Sequence, residues 1–253
     1  MYRFCFFFFG MEFDIITIFP HLFDSFLNES IIKRAQKQGL IKIRVFDLRK
    51  WANDPHKSVD NKPYGGGRGM VMMVEPIYRA LAALRTKRTR RQSTINNTRT
   101  ILFSPRGKKF SQKIAYQYSK LKRIVMICGR YEGVDERVAQ NLINEQVSIG
   151  DYVMMGGEVA AMAVMEAVSR LIPGVLGHSE QLKERITGIK GGVGPRRRQG
   201  SGGQGGFTEY PQYTRPEVYS PHKNIKWKTP KILLSGNHKK IKEWRQKHQK
   251  LIK

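Results

Sequence analysis

The chain has 253 residues, enough to bury a substantial core in one large domain or two smaller ones. Lysine and arginine total 46 against 20 acidic residues, a formal net charge of +26, and that much self-repulsion calls for a polyanionic partner such as nucleic acid or an anionic membrane surface. No apolar run is long enough to span a bilayer, and two cysteines, Cys5 and Cys128, give neither zinc-ligand spacing nor a disulfide framework, which fits a reducing, cytoplasmic setting.

The first ten residues, MYRFCFFFFG, hold an apolar run too short for a signal peptide, with no small-residue cleavage site after it. Met11 is an alternative start. Residues 13–19 (FDIITIF) read as a buried strand ending at Pro20. Residues 21–38 carry helical spacing through Leu22, Phe26, Ile31 and Ala35, with Gly39 as the cap. Residues 41–48 alternate apolar and basic positions and form a second strand. A strand–helix–strand opening implies an α/β sheet with parallel neighbours.

Residues 54–70 are a polar loop ending in PYGGGRGM; with no strand before it, it lacks the context of a phosphate-binding loop and by itself reads as a mobile surface loop. Residues 75–84 form a helix, and the basic, unpatterned stretch 85–99 reads as a solvated loop insertion or an extra RNA contact. Residues 100–103 are a strand running into Ser104-Pro105-Arg106-Gly107, followed by a helix over 111–121. Residues 124–128 are another strand, ending in Gly129-Arg130-Tyr131-Glu132-Gly133, and 147–149 lead into a third loop. Ligands in open α/β sheets sit outside the carboxyl ends of the strands, so these three loops should converge on one pocket.

That third loop opens the stretch 148–177, SIGDYVMMGGEVAAMAVMEAVSRLIPGVLG, around which the chain is organised. Gly156 and Gly157 feed a helix, letting backbone approach a ligand closely with free N–H groups. From Val159 to Ile172 the helix is apolar through Val159, Met162, Ala163, Met165 and Val168, so it should be buried in the protein or in a subunit interface. Pro173-Gly174 stops it. Residues 185–206 are Gly- and Arg-rich without apolar periodicity, a composition expected to be disordered. Residues 231–253 read as a strongly basic helix; with Trp227, Trp244 and histidines among the lysines, RNA backbone is the natural ligand.

Six blocks occur in a fixed order: PYGGGRGM, SPRGKKFSQ, CGRYEGVDERV, IGDYVMMGGE with SRLIPGVLG, YPQYTRPEVY and LLSGNHKKIKEWR. Together they resemble the bacterial-type tRNA (guanine-N1)-methyltransferases, the TrmD family of the SPOUT superfamily. The resemblance implies a parallel α/β sheet with flanking helices, tied in a trefoil knot, plus a small helical C-terminal domain. It implies S-adenosylmethionine as cofactor, the anticodon arm of tRNA as substrate, and a homodimer with sites composed from both subunits. Position by position, cofactor contacts would be Phe103, Ser104, Pro105, Gly129, Tyr131, Glu132, Ile149, Gly150, Asp151, Tyr152, Val153, Met154, Gly156 and Gly157. RNA contacts would be Tyr64, Gly65, Arg68, Arg215, Lys239, Lys240 and Arg245. The implied division is a cofactor domain over 11–177, a linker over 178–207 and a basic tRNA-binding domain over 208–253.

Guanine N1 becomes a good nucleophile only as its proton leaves, so the reaction needs a general base and a cation beside the neighbouring O6. Arg170 occupies the family's arginine position; read alone it could pair with Glu166 at i,i+4 spacing. The family's base is an aspartate in a short Asp-Ser-Phe motif within the linker, yet no aspartate follows Asp151 here. Glu184 is the nearest substitute, with Glu180 and Glu209 as outside candidates. The resemblance thus implies a methyltransferase, with a catalytically impaired tRNA- and cofactor-binding protein as the alternative.

Overall fold

Strand β1 (Met11–Thr17) is buried at every position, the signature of a central strand covered on both faces. It begins where the Met11 amide bonds the Leu40 carbonyl and ends where Thr17 Oγ accepts the Phe19 amide at 2.9 Å, before the proline predicted to stop it. The computed structural model describes residues 10–89, 97–176, 207–248 and 250–252. Around β1 lie β2 (Ile41–Asp47), β5 (Thr98–Lys109), β6 (Arg123–Ile127) and β7 (Glu145–Ser148), in the order β2-β1-β6-β5-β7 with every pairing parallel.

Alternation along the strands sorts side chains into two cores. Phe13, Ile15, Ile101, Phe103, Ile124 and Met126 face α2 (Ser30–Lys37), α4 (Gln112–Tyr118) and α6 (Glu158–Ser169). Ile16, Leu102, Val125 and Ile127 face α3 (Val74–Thr89) and α5 (Glu136–Asn141). Asp14 is one of three buried polar residues of the central strand, with Glu12 and Thr17. Fully buried, it accepts from Arg44 Nε and Arg123 Nε, each at 2.6 Å, so its charge is compensated where it enters the sheet.

The predicted helix over 21–38 is broken. A 3-10 turn (Pro20–Phe23) leads into α1 (Asp24–Asn28), then Glu29 is extended and Ser30, the first residue of α2, takes a left-handed φ of +47°. The break shifts the helical phase, so Phe23, Ile32 and Ala35 are buried while Leu22 and Ile31 remain exposed. Gly39 does cap α2, at φ +71°. Helix α3 continues to Thr89 and β5 starts at Thr98, so less of the basic stretch is loop than the sequence suggested. The polar loop carries a small pairing of β3 (Asp60–Asn61) with β4 (Val71–Met72).

Helix α6 buries one face within the protomer. Ala160, Ala161, Val164, Met165 and Val168 enter the core, while Val159 and Ala163 face outward. The C-terminal part is not one helix either. A hairpin of β9 (Val218–His222) and β10 (Ile225–Lys228) precedes α7 (Lys231–Leu234) and α8 (His238–His248), separated at Gly236, which adopts φ +69°. The chain then forms β11 (Lys250–Ile252), antiparallel to β8 (Phe207–Glu209). Tyr213, Leu233 and Ile241 make a third, small core that takes in Tyr64 of the glycine loop and Trp244. Among the described residues no helix is long and apolar enough to cross a membrane.

Candidate active site

The carboxyl ends of β5, β6 and β7 enclose a cavity of about 480 Å³, where the sequence pattern placed it. Two glycines let these strand ends approach. At Gly107, where β5 loops out and then rejoins β7, a Cβ would lie 2.5 Å from the Val147 amide nitrogen. At Gly157, which follows the loop leaving β7, a Cβ would lie 2.8 Å from Cys128 Cα and 3.1 Å from Phe103 Cβ. The Gly157 amide bonds the Gly129 carbonyl at 3.0 Å, so the chain passes from the edge strand back across β5 to the end of β6.

Phe103, Ser104 and Pro105, then Gly129, Tyr131 and Glu132, then Ile149, Tyr152, Val153, Met154, Gly156 and Gly157 all line the cavity. Gly150 and Asp151 do not. Gly150 lies behind the Tyr152 ring, which a Cβ there would strike, and Asp151 pairs with Lys109. Tyr131 holds a left-handed φ of +59°, an unfavourable conformation for an aromatic residue that the surrounding loop must enforce.

Below the cavity, Glu158 is almost fully buried and accepts from Thr17 Oγ at 2.7 Å and Arg130 Nε at 2.8 Å. The Arg130 guanidinium also lies 4.7 Å from the Phe19 ring centroid. Burial, with the Glu158 carboxylate nearby, pushes the Cys128 thiol well above its ordinary value, so it is held neutral.

Tyr210 and Gln212 also line the cavity, and sequence reasoning missed them. The YPQY block belongs to the family resemblance, but nothing in its own sequence ties it to the cavity. They are brought there by a buried staple. Asp135 accepts from Arg137 Nη2 and from the Thr214 amide, both at 2.7 Å, while Arg137 donates to the Thr214 and Pro216 carbonyls. The Glu136 amide adds a bond to the Gln212 carbonyl at 2.7 Å. Arg106 and Arg130 complete the charged lining, paired with Glu136 and Glu158.

The sequence profile described as tRNA (Guanine-1)-methyltransferase TrmD matches residues 11–252. The chain belongs to this family. It is 44% identical over 239 residues to the tRNA (guanine-N(1)-)-methyltransferase of Geobacter sp. (strain M21), covering 94% of this chain and 85% of that one. The Thermomicrobium roseum relative is 46% identical, with 93% and 77% covered. The crystal structure of the Aquifex aeolicus tRNA (m1G37) methyltransferase superposes with a TM-score of 0.59 at 36% identity, covering 94% of this chain and 89% of that one. The parallel sheet with helices on both faces is accordingly the SPOUT fold of the TrmD family.

Within that fold the residues expected to act on guanine or to hold RNA are scattered. Arg170 caps the far end of α6, a helix length of about 20 Å from Gly157 at 1.5 Å per residue, and does not line the cavity. It makes no ion pair with Glu166; its amide bonds the Glu166 carbonyl at 3.2 Å. Glu184 and Glu180 lie outside the described residues, and Glu209 lies in β8. Arg68, Arg215, Lys239 and Lys240 are exposed. Tyr64 is tied through its amide to the Tyr213 carbonyl at 2.8 Å, and Gly65 packs over Leu233 and Ile241. Arg245 departs from expectation: it turns inward, donates to the Gly66 carbonyl and lies 4.9 Å from the Tyr210 ring centroid.

Proposed function

We propose that this chain methylates N1 of the guanine just 3′ of the anticodon, as a homodimer that grips the anticodon arm, in the cytoplasm. By family it is an S-adenosylmethionine-dependent tRNA methyltransferase. The observation that carries the cofactor reading is a cavity in which the three strand-end loops meet. Its residues fit the cofactor: an apolar wall of Leu102, Val134 and Ala160 suits a purine face, and the glycine-bearing backbone of 129–133 and 149–157 supplies close polar groups. Bound there, the cofactor supplies an electrophilic methyl group on a sulfonium. Phe103, Ser104, Pro105, Gly129, Tyr131, Glu132 and the loop from Ile149 through Gly157 would hold it, with Gly150 and Asp151 acting from behind the wall. The passage of the chain from β7 across β5 to Gly129 supports the trefoil threading of the family.

Chemistry at guanine requires removal of the N1 proton and a cation at O6. Arg170 is assigned the cation role, and its distance from its own cavity supports a site completed by a second copy. Met155 at 86% exposure and Val159 at 61%, with Phe19 and Leu22 nearby on the segment that α6 packs against, leave an apolar surface beside the cavity that such a copy would cover. Glu184, in the linker region 178–207, is the substitute base. The cofactor unit is 11–177, and exposed Arg68, Arg215, Lys239 and Lys240 offer phosphate contacts in and beside the basic unit 208–253.

A second reading rests on one fact, that no aspartate follows Asp151. The chain would then bind cofactor and tRNA without transferring methyl. Calorimetry with S-adenosylmethionine and a methyl-transfer assay on tRNA transcripts with G or A next to the anticodon decide between them. Transfer to the G transcript alone supports the methyltransferase; binding without transfer supports the second reading; no cofactor binding overturns both.

A further inference from the structure

Arg245 was expected on the RNA surface, yet its guanidinium bonds other parts of the protein at a partly exposed position. Nη2 donates to the Gly66 carbonyl, the group lies 4.9 Å from the Tyr210 ring centroid, and Nε is buried without a hydrogen-bond partner among the described residues. Tyr210 is a wall of the cofactor cavity. Gly66 belongs to a loop in which Gly65, Gly66, Gly67 and Gly69 all take positive φ, so that loop has few side chains with which to anchor itself. Its far end meets the cavity as well: the Met70 carbonyl accepts the Glu132 amide at 3.0 Å, and Gly69 packs against the Glu132 side chain, which lines the cavity.

We propose that Arg245 is a positioning residue that fixes two parts of the cofactor cavity, Tyr210 directly and Glu132 through the glycine loop, without contacting cofactor or RNA. It sits on α8, whose Lys239, Lys240, Lys242 and Lys247 are exposed, so the helix that presents positive charge outward braces the cavity inward. The pairing of β11 with β8, the strand immediately before Tyr210, ties the same tail to the same wall. A planar guanidinium can lie on the Tyr210 ring and donate to Gly66 together, whereas a lysine ammonium is a point charge that cannot satisfy both. This inference rests on the cavity being the S-adenosylmethionine site.

The test is calorimetric titration of S-adenosylmethionine into the RNA-free full-length protein, with parallel tRNA binding across a salt series. Arg245→Lys is expected to weaken cofactor binding about three- to thirtyfold, the span of a lost cation–π contact, and Arg245→Gln, which also removes the charge, to leave the tRNA salt slope unchanged. Lys240→Ala should do the reverse, lowering the slope by about one with cofactor affinity intact. Tyr210→Leu combined with Arg245→Lys should cost less than the sum of the two single changes, because they share the ring contact while Arg245 also holds Gly66. Should Arg245→Gln lower the salt slope and spare cofactor affinity, Arg245 is a phosphate contact and the proposal fails. Additive effects in the double variant also overturn it. Absence of cofactor binding to the parent protein would instead defeat the functional reading.

Discussion

The Gly157 amide meets the Gly129 carbonyl at 3.0 Å, and this bond joins the loop leaving β7 to the loop leaving β6. A side chain at 157 would press on the Cys128 backbone, which cannot swing away as a side chain can. Overpacking of this kind costs about 1–3 kcal/mol, so Gly157→Ala should lower the thermal midpoint and weaken S-adenosylmethionine binding together. Gly150→Val should act differently. Its new side chain would meet the half-exposed Tyr152 ring, which can move, so cofactor affinity should fall while stability changes little. Equal destabilisation by the two variants, measured by thermal unfolding, would show that the loop junction is not the tighter point.

The exposed lysines of α8 should supply RNA affinity with little sequence preference. Removing residues 239–253 would not test this, because it also removes Arg245 and β11 and so disturbs the cavity. Single Lys239→Ala, Lys240→Ala and Lys247→Ala variants are the appropriate set. Each lost phosphate contact should reduce the slope of log affinity against log salt by about one. Unchanged slopes in all three would show these lysines to be solvated only.

Alkaline pH should destabilise the fold through Cys128. Its thiol is held neutral by burial and by the nearby Glu158 carboxylate, so its folded pKa lies above that of the unfolded chain. The resulting stability is complete below about pH 8.5, where the unfolded thiol begins to ionise, and is lost as pH rises toward the folded value. The decline should approach about 1.4 kcal/mol per pH unit. Tyr118, Tyr213 and Tyr219, also raised by burial, add to the loss only above about pH 10. Urea unfolding between pH 8 and 10 checks this: Cys128→Ala should start less stable and show a flatter profile, and an unaltered profile would acquit the thiol.

Catalysis without the family's aspartate should be slow. General-base assistance contributes about 10²- to 10⁴-fold, and Glu184 has one methylene more than an aspartate. Weak methyl transfer is expected, falling further in Glu184→Gln. Installing Asp-Ser-Phe at positions 185–187 and shortening the Gly-rich segment should raise the rate. A repaired chain as slow as the parent would mean that the missing group belongs elsewhere.

Local pattern alone located β1, β2, β5 and β6 through their runs of branched and aromatic residues, and the parallel arrangement followed from the opening strand–helix–strand order. The strand-end rule placed the cavity, since a parallel sheet covered on both faces leaves its carboxyl edge as the open concavity. The glycines at 156 and 157 marked a close backbone approach, though not its partner. What tertiary structure decided were relationships between residues far apart in the chain. Tyr210 reaches the cavity because buried Asp135 and Arg137 bind the backbone of residues 214 and 216, and nothing near Tyr210 announces that. Ser30 breaks a helix whose spacing looked continuous, moving Leu22 and Ile31 to the surface. Arg245 sits in a basic helix that composition assigns to RNA, yet its side chain turns to Gly66 and Tyr210. Composition and period encode how much of a segment is buried and with what repeat; which carbonyl or ring a long cationic side chain finds depends on the packing of elements distant in sequence, 179 residues apart for Gly66 and Arg245.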